Sequence, residues 1–183
     1  MQFRKTVILK TGEPCEIRTA TGDDAAGVLR CFLMTHEETD NMLTLPEERS
    51  LTEADERVFL EERAARADSV ELCAVLNGEI VATAGFDSVG AQQKVRHRAS
   101  FGIGVLRDAW GRGIGRALTE SCIALARQAG FSQLELDVVA DNEAAIALYR
   151  SCGFLEYGCN PLGFLHPKLG PQPLLLMRLE LKE

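Results

Sequence analysis

The sequence predicts an α/β domain in which helices alternate with the strands of a mixed sheet. The clearest unit is a strand over residues 99–106 that leads through the glycine-rich turn Gly111–Gly115 into a helix with apolar residues at helical spacing. A second indication is the Asn77-Gly78 pair, which favours a tight turn between strands expected over 70–76 and 79–86. These elements together predict helices packed on a sheet.

The amino-terminal region is expected to add a hairpin and a helix to this unit. Residues 6–10 and 15–20 favour two strands on either side of a Thr-Gly-Glu-Pro turn. Thr21 or Asp23 would cap the helix that follows, because short polar side chains can bond the free N–H groups of a first helical turn. The hairpin therefore leads directly into the first helix.

A polar and acidic segment, residues 36–43, separates this helix from a second one. Ser50 and Glu53 have the spacing of a capping box, in which each side chain bonds the backbone N–H of the other residue. We therefore expect the second helix to run from Leu51 to about Arg66.

A further strand and helix are expected after the glycine-rich turn. Residues 132–139 favour a strand in which Glu135 and Asp137 face the same way, because side chains alternate along a strand. Asp141 or Asn142 would cap the next helix. This places two carboxylates and a helix N-terminus close together in the chain.

The carboxy-terminal region is expected to form strands around a long loop. Residues 154–157 begin one strand, and 174–181 form the last one. The proline-rich stretch 160–173 is interpreted as a loop that is too long for a tight hairpin. Apolar and charged residues alternate along the last strand, which indicates one buried face and would allow a homodimer.

Composition excludes several classes of function. The net charge of −7 disfavours nucleic acid as a partner. No run approaches the about 18 apolar residues of a membrane helix. The six scattered cysteines contain no Cys-x-x-Cys pair, which is typical of reduced thiols in a cytoplasmic protein. The three histidines, at 36, 97 and 166, lack metal-ligand spacing, so we expect no metal.

The glycine-rich turn has the properties of an anion site. A helix N-terminus carries unpaired N–H groups and a partial positive charge, and Arg112 and Arg116 add two cations there. Phosphate is a usual ligand of such an end, although a plain turn with two solvated arginines would give the same pattern. No lysine follows as in an NTPase phosphate loop, and the third glycine of a dinucleotide fold is absent.

Two segments in this order resemble the GNAT superfamily of N-acetyltransferases. Residues 110–115, Trp-Gly-Arg-Gly-Ile-Gly, are similar to its Gln/Arg-x-x-Gly-x-Gly/Ala motif, with Trp110 in the Gln/Arg place. A shifted register, with Arg112, Gly115 and Ala117, also satisfies the pattern. Residues 142–154 resemble the Asn-x-x-Ala-x-x-Leu-Tyr-x-x-x-Gly-Phe segment of the same superfamily, and in particular of ribosomal-protein alanine acetyltransferases.

The resemblance implies one N-acetyltransferase domain over residues 1–183. Its sheet would be mixed but mostly antiparallel, with about seven strands flanked by about four helices and with two central strands splayed apart. Residues 1–69 would form the amino-terminal hairpin and acceptor-side helices, 70–160 the acetyl-CoA-binding core, and 161–183 the carboxy-terminal strand. Acetyl-CoA would be the co-substrate and an amine the acceptor.

The resemblance also assigns the residues that would bind acetyl-CoA. Backbone groups at the end of the strand before the turn would pair with the pantetheine arm, the turn would hold the pyrophosphate, and one side chain would reach the pantetheine. These positions are Ile103, Gly104 and Val105, then Arg112, Gly113, Ile114, Gly115 and Arg116, and finally Asn142.

Tyr149 matches the tyrosine that serves as general acid in many members of the superfamily, and an unperturbed phenol is protonated at neutral pH. Asp137 is the first candidate base, because ribosomal-protein alanine acetyltransferases carry a glutamate at that spacing. An aspartate is one methylene shorter, which favours a relay through water. Glu135 is the second candidate, and His97 is the third.

The acceptor itself stays open at this point. The acidic residues Glu37, Glu38 and Asp40 fall where members of the superfamily line the acceptor pocket, and they could attract a cationic amine or simply be solvated. Small amines, amino acids, lysine side chains and protein N-termini all remain candidates. Two other functions would fit: a non-catalytic sensor that binds acetyl-CoA, and an interaction domain without any cofactor.

Overall fold

The computed structural model describes residues 1–45 and 52–181, and in this part of the chain it contains eight strands and four α-helices. The strands are β1 Arg4–Ile8, β2 Pro14–Thr19, β3 Ser69–Leu76, β4 Glu79–Ser88, β5 Arg98–Val105, β6 Gln133–Val139, β7 Leu155–His166 and β8 Gly170–Glu180. The helices are α1 Ala25–Glu38, α2 Glu53–Ala65, α3 Ile114–Gln128 and α4 Glu143–Ser151.

The strands form one sheet in the order β1-β2-β3-β4-β5-β6-β8-β7. Every neighbouring pair is antiparallel except β5 and β6, which are parallel. The α/β class and the mixed, mostly antiparallel sheet are therefore confirmed, with one strand more than the about seven expected. None of the four described helices has the length and apolar character needed to cross a membrane.

The two central strands separate after a short parallel contact. Strand β5 pairs with β6 only from Arg98 to Ser100, opposite Gln133 to Glu135, although both strands continue beyond these residues. The Arg98 guanidinium and the Glu135 carboxylate form an ion pair across the paired stretch, with Nη2 2.7 Å from Oε2. The expected splay is confirmed, and it leaves the facing edges of two strands without a partner strand.

Strand β3 is buried on both of its faces. Leu72 and Ala74 belong to the larger core under α3, whereas Cys73 belongs to a second core under α1 and α2. Side chains alternate along a strand, so a continuous apolar run can serve two cores at once. Helices therefore pack on both faces of the sheet, and the strands between them carry the site.

Local patterns located several elements correctly. Asn77 and Gly78 form the tight turn between β3 and β4, both with left-handed backbone (φ 53° and 84°). Thr21 caps the first helical turn through a capping box with Asp24, and Asn142 caps α4. Cys15, Cys31, Cys73 and Cys122 are buried thiols in the core.

The prediction of a loop over residues 160–173 is wrong, because most of these residues belong to the strands of a long hairpin. Strands β7 and β8 pair through residues 155–178, with His166 opposite Gly170 beside the turn. Pro161 falls in an irregular stretch of the edge strand, and Pro171 lies before β8 reaches β6. Proline is tolerated in a sheet where one side has no partner strand, so prolines do not exclude a strand at an edge.

Two further boundaries differ from the expectation. The observed cap of α2 is Thr52, which forms a capping box with Asp55, and the helix begins at Glu53, whereas Ser50 lies outside the described residues.

Strand β8 is bordered by β6 and β7, so the last strand offers no free edge to a second copy. The expected boundary at residue 160 falls inside β7.

Candidate active site

A cleft of about 900 Å³ opens where β5 and β6 separate. Its walls are the free ends of these two strands, the glycine-rich turn with the first turn of α3, one face of α4, and α1 with the segment that follows it. The sheet places the carboxyl ends of two parallel strands side by side, so this cleft is a direct consequence of their divergence.

The glycine-rich turn carries a row of free backbone donors, and five of its six residues line the cleft. None of the six backbone N–H groups from Gly111 to Arg116 donates to a backbone group of the described residues, and the first bond of α3 runs from Ala117 N to Gly113 O at 3.1 Å. Gly113 is the N-cap, with φ +98°, a left-handed conformation that other residues adopt at a cost. Six unpaired amides and the positive end of a helix therefore make this turn a favourable place for an anion.

Gly115 has little room for a larger residue. A Cβ at this position would lie 3.2 Å from Leu148 Cδ2, because α3 and α4 approach closely beside the cleft. Gly113 as the N-cap and Gly115 as the contact residue together favour the first register of the motif over the shifted one. The shifted register would place its second position at Ala117, which does not line the cleft and whose N–H already donates to Gly113 O.

The strand residues Ile103, Gly104 and Val105 line the cleft as expected. They pair with β4 on one side, while β6 has already left on the other side. Trp110 also lines the cleft, is 50% exposed, and donates from its indole Nε1 to Val105 O at 2.6 Å. The indole N–H thus pairs with one backbone carbonyl at the end of β5, on the edge that β6 has left.

The three cations near the turn differ in orientation. Arg112 does not line the cleft, and its Nη1 lies 3.5 Å from the Glu13 carboxylate in the β1–β2 turn. Arg116 lines the cleft and donates to Ser151 Oγ at 2.7 Å, which ties α3 to α4. Lys10 lines the cleft as well, and no pattern near it in the sequence had indicated this.

Asn142 lines the cleft and caps α4 at the same time. Its side-chain Oδ1 accepts a hydrogen bond from Ala145 N at 3.2 Å. The side chain is half-buried, and its amide N–H groups remain available as donors. One residue can therefore fix the helix start and contact a ligand.

Tyr149 is buried on α4 and lines the cleft. Its ring packs edge-on against Phe101, with centroids 6.2 Å apart, and lies 5.9 Å from Phe154. Burial raises the pKa of Tyr149 to about 12. The phenol is therefore protonated at neutral pH and is held by aromatic contacts in a fixed place.

The two strand carboxylates have different environments. Asp137 lines the cleft, and its pKa is raised, first by burial and then by the negative charge of Glu135. Glu135 does not line the cleft, and its pKa is lowered, chiefly by hydrogen bonds from Arg98. His97 is exposed before β5 and also lies outside the cleft lining. Only Asp137 of the three candidate bases is in the cleft.

One wall of the cleft is formed by α1 and the residues after it. His36 is buried there, with Nδ1 2.7 Å from Phe32 O and Nε2 2.9 Å from Thr44 Oγ1. A carbonyl can only accept, so His36 Nδ1 carries a proton and donates to Phe32 O. His36 therefore ties α1 to the segment that follows it.

The acidic residues expected to line the acceptor pocket are not in the cleft lining. Glu38 accepts a hydrogen bond from Arg107 N at 2.7 Å, and Asp40 Oδ2 lies 3.5 Å from His166 Nε2. Glu37 is exposed. Within the described ranges, no cluster of three or more potential metal ligands occurs.

Comparison with known proteins agrees with this architecture. The profile of the Acetyltransferase (GNAT) family matches residues 31–154, more than half of the chain's 183 residues. A mycothiol acetyltransferase of Jonesia denitrificans is 33% identical over 109 residues, which are 60% of this chain and 34% of that protein. The chain spans about a third or less of the mycothiol acetyltransferases that it matches.

Two solved structures are similar over most of the chain. An acetyltransferase of the GNAT family from Streptococcus pneumoniae has a TM-score of 0.86 and 28% identity, covering 91% of this chain and 99% of that one. A ribosomal-protein-alanine N-acetyltransferase from Brucella melitensis has a TM-score of 0.79 and 29% identity, covering 90% and 98%. These findings confirm the resemblance drawn from the two motifs: the chain belongs to the acetyltransferase (GNAT) family.

Proposed function

We propose that this protein is an N-acetyltransferase that transfers the acetyl group of acetyl-CoA to a primary amine of a small molecule or a protein. The observation that carries the proposal is the meeting of three features in one cleft. These are the free amides of the glycine-rich turn, a buried tyrosine and a partly desolvated aspartate. Membership of the family supports the same activity.

The cleft fits acetyl-CoA at both of its ends. Amides 111–116 and Arg116 would hold the pyrophosphate, since they are free donors and a cation at the positive end of α3. The free edge of β5 at Ile103, Gly104 and Val105, with the Asn142 amide, would bind the pantetheine arm. The fit rests on donors that have no partner in the protein and would be costly to leave unpaired under a ligand.

Acetyl-CoA would supply an acetyl thioester whose carbonyl carbon the amine attacks directly. A C–N bond forms and a C–S bond breaks, so the amine must lose a proton and the thiolate must gain one. The Asp137 carboxylate would accept the amine proton through a water molecule, and Tyr149 Oη would donate a proton to the thiolate. The described lining residues include no cysteine, so no thiol there could carry the acetyl group.

Replacing Tyr149 by Phe tests the proposed acid. The ring contacts with Phe101 and Phe154 are kept and only the hydroxyl is lost, so CoA affinity should change by less than about twofold while kcat falls about 100-fold. Because the pKa of Tyr149 is about 12, the deficit should be the same at neutral and mildly alkaline pH. Mass spectrometry of an amine library incubated with acetyl-CoA provides the substrate for this assay.

Tight CoA binding by wild type without an acetylated product from any amine would contradict the transferase and favour the sensor. A Tyr149→Phe enzyme with wild-type kcat would contradict the role of the tyrosine alone.

Replacing Asp137 by Asn tests the proposed base. A carboxylate accepts a proton only when ionised, so wild-type kcat should fall as the pH drops through the pKa of Asp137, which lies above that of an ordinary aspartate. Asp137→Asn should lose this acidic limb and lower kcat at least about tenfold at neutral pH. The measurement is kcat against pH with saturating amine.

Glu135→Gln is the matched control, because it removes the other carboxylate of the same strand. It should keep the acidic limb, displaced slightly to lower pH because the negative charge that raises the pKa of Asp137 is gone. An Asp137→Asn enzyme that retains the wild-type limb would assign the base to another group.

A homodimer through β7 is the assembly that we propose. Strand β7 is an edge of the sheet, and it exposes large apolar side chains such as Leu155 and Leu162, which are 67% and 75% exposed. Light scattering should give twice the chain mass of 20.0 kDa, and Leu155→Lys should reduce it to one chain. Ile8→Lys, at the opposite edge, should not. A monomeric wild type would contradict the proposal.

A further inference from the structure

The glycine-rich turn supplies two arginines, and Arg116 lines the cleft whereas Arg112 does not. Arg112 lies within the motif, but its guanidinium is turned to Glu13, 3.5 Å away, and it does not line the cleft. Lys10, more than a hundred residues earlier in the chain, lines the cleft in its place. The hairpin that carries Lys10 also lies outside residues 31–154, the part that matches the family.

The backbone holds Lys10 against the turn. Lys10 N donates to Arg112 O at 3.1 Å, and Leu9 N donates to Glu13 O at 2.9 Å, which closes the β1–β2 turn beside the glycines. A Cβ built on Gly113 would lie 3.8 Å from Lys10 Cγ. The lysine side chain therefore starts at the centre of the row of free amides.

The charge of Lys10 is available for a ligand. Among the ion pairs of the described residues, Arg112 is matched by Glu13 and Arg116 by Glu120, whereas none includes Lys10. A flexible ammonium group next to free N–H donors is a common arrangement for phosphate. The row of amides thus has one unmatched cation beside it.

We propose that Lys10 binds the diphosphate of CoA and takes the place expected for Arg112. The amino-terminal hairpin is then part of the cofactor site, because its turn contacts the glycine-rich turn at Arg112 and Gly113. This inference rests on the proposed use of acetyl-CoA. It assigns the diphosphate, and not the 3′-phosphate, because Lys10 lies beside Gly113 and its amide neighbours.

The test compares Lys10→Gln with Lys5→Gln by calorimetric titration of CoA and dephospho-CoA, which keeps the diphosphate but lacks the 3′-phosphate. Lys5 is the matched control, an exposed lysine on β1 outside the cleft lining. Lys10→Gln keeps the backbone bond to Arg112, so its thermal unfolding should match that of wild type. Its affinity for both ligands should fall about three- to tenfold at low salt, and less at high salt.

Equal affinities of Lys10→Gln and wild type would overturn the proposal, and so would a loss seen with CoA but not with dephospho-CoA. A loss of the same size in Lys5→Gln would also overturn it, because it would reflect net charge and not contact. Failure of wild type itself to bind CoA would instead remove the proposed function, and this inference with it.

Discussion

The site depends on one constraint, the early end of parallel pairing between β5 and β6. Only three residue pairs join these strands, and the Arg98–Glu135 ion pair spans them, from the first paired residue of β5 to the last paired residue of β6. Buried backbone N–H and C=O groups must find partners, so a strand edge left open in the middle of a sheet has to be completed by something else. In this protein the open edge lines a cleft, and the hydrogen-bond donors around the cleft determine what can bind there.

The same scaffold gives two titratable groups opposite properties. Tyr149 is enclosed by aromatic rings, and its raised pKa keeps it a proton donor. Asp137 stands two residues beyond Glu135, close enough for that charge to raise its pKa, while hydrogen bonds from Arg98 lower the pKa of Glu135. The two carboxylates of one strand therefore differ in pKa, and Asp137 is the one that lines the cleft.

Features that depend on neighbouring residues could be predicted from the sequence, and features that depend on distant contacts could not. The strand, glycine-rich turn and helix, the Asn77-Gly78 turn and the Asn142 cap follow from local backbone preferences. The orientation of Arg112 and the entry of Lys10 depend on the β1–β2 turn docking on the glycines, a contact across about a hundred residues. The β7–β8 hairpin could not be predicted from the sequence, because proline disfavours a central strand but is tolerated in an edge strand. The sequence alone does not show that β7 is an edge strand.

The central claim is that amides 111–116 receive the phosphates of acetyl-CoA. The most direct measurement is a titration of isotope-labelled protein with CoA, followed by the amide resonances of the chain. The account predicts that these six amides shift most and gain protection from hydrogen exchange, because they pass from water to phosphate oxygens. Binding that leaves these resonances unchanged and shifts a different region would contradict the account, since the glycine-rich turn would then have only a structural role.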